Sequence, residues 1–180
     1  MNKKVIRKNI INERKSLNKN QIEFMSSNVV KKITEKYFFI ESKNIAMYYP
    51  FKNEVDLLNI FKKYNESKNF LFPKVHGNEM KFHLVKDFND FSLGNFNIME
   101  PITDVFEQNI DLFLIPGVAF SPNLYRIGYG GGFYDKYISK HVNDSKLVGV
   151  AFDFQIIENL PLEDHDQKLD IIITNKGVYE

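Results

Sequence analysis

The chain has no cysteine and no tryptophan among its 180 residues, and it carries only six prolines and nine glycines. Without cysteine there can be no disulfide framework, thiolate metal site, iron–sulfur cluster or cysteine nucleophile. Charge imbalance is also missing: 24 Lys plus Arg stand against 23 Asp plus Glu, a formal net charge of +1. That balance gives no support to a general nucleic-acid coat. No stretch reaches the roughly 18 consecutive apolar residues of a membrane-spanning helix, and Pro50 and Pro116 cut the longest runs. The basic N-terminus leads into Asn9, Asn12, Glu13 and Arg14 instead of an apolar signal core, and Glu13 argues against a transit peptide. A cytoplasmic location with no membrane partner is therefore expected.

What remains is 43% hydrophobic and 26% charged, close to globular averages. At roughly 100–200 residues per domain, residues 1–180 are expected to form one domain. Ile6, Ile10 and Leu17 recur at helical spacing, followed by Ile22, Met25, Val29, Ile33 and Tyr37. Asn18 with Gln21 three residues on has the form of a capping box between the two patterns.

Residues 45–49 read as a strand ended by Pro50, Leu57 to Tyr64 as a helix, and Phe70 to Phe72 as a strand before Pro73. Met80, Phe82 and Leu84 alternate with Lys81 and His83 after a turn at residues 76–78, which predicts an antiparallel hairpin with one solvated side. Leu112 to Ile115 fits a fully buried strand, Phe133 to Ile138 a helix, and residues 147–152 and 171–174 further strands. Strands alternating with helices imply an α/β fold around a mainly parallel sheet.

The most informative segment is Arg126-Ile-Gly-Tyr-Gly-Gly-Gly-Phe-Tyr-Asp135. Its glycines let backbone amides approach an anion, and a helix start behind them adds a favourable dipole. It is not a Walker A loop, because no Gly-Lys-Ser/Thr follows. Phe133 stands where the dinucleotide fingerprint needs a third small residue. A tight strand-to-helix connection explains the glycines equally well. Arg126 offers a planar fork for phosphate, while Asp135 and the carboxylates near Asp166 are hard oxygen ligands suited to Mg²⁺. A solvated acidic turn accounts for the latter cluster just as simply. Lys3 and Arg7 share one helix face; unless an anion lies nearby, such a stripe is only a solvated surface. The four histidines show no metal-ligand spacing.

Taken together, the motifs resemble the 5-formyltetrahydrofolate cyclo-ligase family over nearly the whole chain. They run from Lys3-x-x-x-Arg7 through Tyr49-Pro-Phe-x-x-Glu54-Val-Asp56, Phe72-Pro-Lys74, Gly94-x-Phe96-x-Ile98-x-Glu-Pro101 and the segment from Asp111 to Phe120. The glycine segment, Ala151-Phe-Asp-Phe-Gln155, Leu160-Pro, His165-Asp166 and residues 171–174 complete the series.

The resemblance implies a three-layer α/β sandwich and ATP- and Mg²⁺-dependent conversion of 5-formyltetrahydrofolate to 5,10-methenyltetrahydrofolate. It assigns Lys3, Arg7 and the loop residues Arg126, Ile127, Gly128, Tyr129, Gly130, Gly131, Gly132, Phe133 and Tyr134 to ATP. Tyr49 and Glu54 go to folate, with residues 129–133 shared between the ligands. Asp135 and Asp166 go to Mg²⁺, and Arg126 and Glu54 are the expected catalytic pair. A monomer acting without a protein partner is expected. A noncatalytic folate or nucleotide sensor on the same fold is the competing reading. Asn123-Leu124-Tyr125 departs from the glycine-containing approach commoner in the family, and Gly131 stands where some relatives carry a lysine.

Overall fold

The computed structural model describes residues 2–94, 97–142 and 144–180. Seven strands form one sheet: β1 (Asn44–Ala46), β2 (Asn69–His76), β3 (Glu79–Val85), β6 (Leu112–Ile115), β9 (Lys146–Ala151), β10 (Ile171–Thr174) and β11 (Val178–Tyr179). Their order is β11-β10-β9-β6-β1-β2-β3. The five central strands are mutually parallel, while β3 and β11 are antiparallel to their neighbours at the two edges. Two small ribbons flank the sheet, β4 (Phe91–Leu93) with β5 (Met99–Pro101) and β7 (Ala119–Phe120) with β8 (Arg126–Ile127).

Side-chain alternation sorts the apolar residues into two cores. On one face Ile45, Met47, Phe70, Phe72, Leu112, Leu114, Val148 and Val150 meet α2 (Lys19–Thr34), α3 (Tyr37–Glu41) and α4 (Leu58–Tyr64). On the other, Ala46, Leu71, Phe113, Ile115 and Ile172 meet Ile138 of α5 (Phe133–His141). Helices on both faces of the sheet make the expected three-layer sandwich.

The first helix, α1 (Lys3–Ser16), belongs to neither layer. Its Ile6 and Ile10 pack on Val118, Ala119 and Ile127, so it lies against the β7–β8 ribbon. The capping box forms as the spacing predicts: Gln21 N donates to Asn18 Oδ1 and Asn18 N to Gln21 Oε1, both at 2.9 Å.

Four local expectations change. Strand β1 ends at Ala46, so residues 47–49 lie beyond it and not in it. Helix α2 ends at Thr34, and Tyr37 starts α3 with 76% of its surface exposed, because Phe39 takes the core position instead. Strand β2 runs through Pro73, which pairs with Phe82; β1 partners only residues 69–71, so Pro73 stands beyond the parallel ladder that would need its N–H. His83 is buried rather than solvated, with Nδ1 2.6 Å from Thr103 O and Nε2 2.9 Å from His76 Nε2. A carbonyl can only accept, so Nδ1 carries the His83 proton and Nε2 accepts from His76. Phe96 of the motif series lies outside the described residues.

Candidate active site

In a parallel sheet, ligands bind beyond the carboxyl ends of the strands where the strand order reverses. Here the chain goes from β1 to β2 in one direction and later builds β6, β9 and β10 in the other, so the reversal falls between β1 and β6. The segment after β1 carries Tyr49 and Glu54, and the segment after β6 leads through Gly117 into the β7–β8 ribbon and the glycine loop. Helix α1 lies on that ribbon and brings Lys3, Arg7 and Arg14 to the same place.

The glycine loop is set by both of its ends. Arg126 and Ile127 are buried in β8 rather than free in a loop, and Gly132 caps α5 with φ +65°, a left-handed conformation that glycine adopts without a Cβ penalty. Gly130, at φ +116°, faces the Arg7 guanidinium, and Arg7 Nε donates to Gly128 O at 2.7 Å. Leu124 enters the hairpin at φ +72°, a left-handed conformation. Its side chain is buried and its carbonyl accepts from Leu169 N at 2.8 Å; these interactions offset the strain of a left-handed leucine. At Gly131 an added Cβ would come within 2.7 Å of the Phe133 ring. A different cation faces this loop: the Lys52 ammonium lies 5.8 Å from the Tyr129 ring centroid.

The carboxylates are paired. Arg126 Nη2 lies 3.1 Å from Asp135 Oδ1, which also accepts from Gln167 N at 3.2 Å. That second bond ties Asp135 to the residue next to Asp166. Lys3 Nζ sits 2.8 Å from Asp166 and 3.0 Å from Glu163. Burial works against the Lys3 charge, but its bonds to Asp166 and Glu163 outweigh that and hold the ammonium above its usual range. For Asp166, burial is likewise outweighed, by the Lys3 hydrogen bond and the Glu163 N–H, so its carboxyl lies below the ordinary value. Burial lowers the Arg126 pKa against the opposing charge of Asp135.

Among the described residues, Glu163, His165 and Asp166 bring potential ligand atoms within 4.8 Å of one another. The carboxylates suit a hard ion, and Mg²⁺ needs only one or two of them besides phosphates and water. The Glu163 and Asp166 carboxylates of this cluster fit Mg²⁺; Asp135 is not in the cluster but is tied to the adjoining segment through Gln167 N.

Glu54 lies deeper. Its Oε2 accepts from Phe51 N at 3.0 Å, and burial pushes its carboxyl up to about 7 against the Arg14 charge. Lys52 and Asn53 both take left-handed backbone, and Asn53 Nδ2 donates to Arg14 O at 3.0 Å, fixing the segment before Glu54. Tyr49 is half-buried, packed edge-on against Phe91 at 5.1 Å between ring centroids.

Sequence reasoning missed Arg14, although it continues the Lys3 and Arg7 stripe one heptad beyond Arg7. The guanidinium is fully buried, 3.7 Å from Glu54 Oε1, and donates to the Tyr129 hydroxyl. Four buried side-chain polar atoms lack a partner among the described residues: Arg14 Nε, Arg126 Nη1, Tyr134 OH and Thr103 Oγ1. Native interiors rarely leave such groups unpaired, and the first three all belong to this site.

Buried polar groups without a partner among the described residues, gathered around Glu54 and the glycine loop at the reversal point of the sheet, fit a small-molecule enzyme of the α/β class. Its family follows from comparison with known proteins. The profile of the 5-formyltetrahydrofolate cyclo-ligase family matches residues 1–175, and the chain belongs to that family. The 5-formyltetrahydrofolate cyclo-ligase of Mycoplasma pneumoniae is 32% identical over 182 residues, covering 98% of this chain and 100% of that protein. The Mycoplasma genitalium enzyme of the same name is 33% identical, covering 97% and 99%. Among solved structures, the Aquifex aeolicus 5,10-methenyltetrahydrofolate synthetase superposes with a TM-score of 0.89 at 34% identity, covering 100% of this chain and 93% of its own. The Mycoplasma pneumoniae synthetase gives 0.81 at 29%, covering 97% and 99%.

Proposed function

We propose that the protein converts 5-formyltetrahydrofolate to 5,10-methenyltetrahydrofolate, with ATP cleaved to ADP and phosphate. The observation that carries this reading is that Arg14 Nε, Arg126 Nη1 and Tyr134 OH, all buried and without a partner among the described residues, lie around Glu54 and the glycine loop. A formamide oxygen is a poor leaving group. Transfer of the γ-phosphoryl group from ATP to that oxygen, with ADP leaving, gives an electrophilic iminium-type carbon; N10 attacks it and gives up its proton to water, and the C–O bond breaks to release phosphate.

Phosphoryl transfer needs alignment and charge neutralisation more than a covalent protein nucleophile, consistent with a chain without cysteine. Lys3, Arg7 and the amides of residues 127–134 bind and align the phosphates in this scheme. Arg126 turns its free Nη1 toward the charge that develops on the transferred group. Asp135 and Asp166 are the residues that would hold Mg²⁺, which when bound adds positive charge at the phosphates. To do so they exchange part of their pairing with Arg126 and Lys3. Tyr49 and Glu54 line the folate side, where the ionised Glu54 accepts hydrogen bonds from a pterin ring N–H or amino group and so orients the ring.

Purified protein mixed with Mg-ATP and 5-formyltetrahydrofolate should form the methenyl product, followed by its near-ultraviolet absorbance. Omission of ATP should abolish it. Both ligands bound without product would leave a noncatalytic sensor; product without ATP would remove the phosphoryl-transfer scheme.

A further inference from the structure

Arg14 occupies an unusual position. Its guanidinium is fully buried at the reversal point of the sheet, bridging the segments that follow β1 and β6: Glu54 Oε1 lies 3.7 Å away on one side and Gly117 O 3.5 Å away on the other. It also donates to the Tyr129 hydroxyl of the glycine loop, while Asn53 holds its backbone carbonyl. Residues 3, 7 and 14 are spaced by four and seven, so the three cations follow one stripe of α1. At about 1.5 Å per residue, Arg14 stands roughly 10 Å along the axis from Arg7. The same helix thus presents two cations to the solvent edge of the crevice and a third to its interior.

A guanidinium that served only to hold the fold would be expected to close its hydrogen bonds, since a buried, incompletely paired charge is costly. This one leaves Nε without a partner among the described residues and stops short of hydrogen-bond distance to Glu54. We propose, on the reading of Glu54 as the folate-orienting carboxylate, that Arg14 is the positioning residue of the folate side, holding Glu54 ionised and aimed and coupling it to Tyr129.

The groups facing Glu54 show why the cation matters. Tyr48 lies just after β1, Tyr134 on α5, Tyr129 on the glycine loop, and Lys52 and Asp56 flank it on its own segment. Burial and the Glu54 charge raise the Tyr129 pKa, and Tyr134 is raised in the same way, so neither competes as an anion near neutrality. Arg14 is the largest influence opposing the effect of burial on Glu54. Its removal must move the Glu54 midpoint upward.

The test uses Arg14→Met, which removes the charge, and Arg14→Lys, which keeps the charge but not the fork. In Arg14→Met the folate KM should rise at least about tenfold with the ATP KM within about threefold, and the acid limb of folate kcat/KM should move to higher pH. Arg14→Lys should restore the limb to its wild-type position with a folate KM only a few-fold raised. Should Arg14→Met not fold, Arg14→Lys decides alone: wild-type folate KM would overturn the proposal.

A carboxyl-carbon NMR titration of Glu54, assigned with Glu54→Gln, reads the midpoint without substrate and separates the two claims. If wild type makes no methenyl product while the midpoint still depends on Arg14, the functional reading fails and the coupling stands. If product forms but Arg14→Met leaves both midpoint and limb in place, or weakens both ligands equally, Arg14 has no positioning role.

Discussion

The two ends of the crevice handle charge differently. At the solvent edge, Lys3 is held by Asp166 and Glu163, and Asp135 is held by Arg126, at contact distances of 2.8–3.1 Å. In the interior, Arg14 and Glu54 are 0% and 6% exposed and stand 3.7 Å apart without a hydrogen bond. Of the edge contacts, Lys3–Glu163 is the most exchangeable, because Glu163 is exposed and water can replace it at little cost. On the proposed reading, an arriving phosphate or metal ion takes over Lys3 or Asp166 from that cluster. The interior pair has no such substitute, so its orientation is set by the fold and its protonation by burial. The difference matches an end that binds a mobile, highly charged group and an end that orients a flat heterocycle.

Arg126 gives the largest expected effect, since it is buried in β8 yet paired with the partly buried Asp135. Arg126→Ala should lower kcat about 10³-fold, the scale of losing a preorganised donor to developing charge. A loss below about tenfold in the product assay, with the fold intact by circular dichroism, would place that donor elsewhere. Next comes Glu54→Gln, expected to cost roughly 10²-fold in folate kcat/KM and to flatten its pH profile. With a midpoint of about 7, the wild-type value should rise from pH 6 to pH 8 as the carboxyl ionises. A rise that survives in Glu54→Gln would assign the titration to another group.

Lys3→Ala and Arg7→Ala should each raise the ATP KM about tenfold while changing stability by under about 1 kcal/mol, because partly exposed pairs contribute little to folding. Thermal melts beside the kinetics decide it; a large loss of stability would make the stripe a packing element. The smallest effect on the fold is expected at Gly128, where an added Cβ meets nothing within 4 Å. Gly128→Ala should shift stability by less than about 0.5 kcal/mol yet weaken ATP binding, as a methyl group intrudes where amides approach phosphate. Unchanged ATP affinity would show that the phosphates do not reach that amide.

How much of this was legible in the sequence follows the same division. Long periodic segments announced themselves: α1, the Asn18 cap, the apolar Leu112–Ile115 strand and the hairpin turn at residues 76–78 all follow from local pattern. The β7–β8 ribbon did not, because two-residue strands carry no period, and so Arg126 and Ile127 read as loop residues although they are buried in a strand. Strand β11 escaped for the same reason.

Alternation also misassigned His83. Its side chain is accommodated inside only because Thr103 O and His76 satisfy both ring nitrogens, a tertiary arrangement no local pattern records. Lys3, Arg7 and the glycine loop were visible as residue types suited to phosphate, Glu54 only through the family resemblance, and the structure gathers them at one end of the sheet. Arg14 was hidden because a cation near a helix end normally marks solvent, whereas this one is turned inward by the contacts of Ile6 and Ile10 with the ribbon.

The claim that each end of the crevice serves its own substrate is tested most directly by reciprocal titration. ATP and 5-formyltetrahydrofolate are titrated separately, by calorimetry at moderate salt, into wild type, Arg7→Ala and Glu54→Gln. The account predicts that Arg7→Ala loses ATP affinity and keeps folate affinity within about threefold, while Glu54→Gln does the opposite. Equal losses of both ligands in both variants would contradict it, and would make the crevice one cooperative site with no division between its edge and its interior.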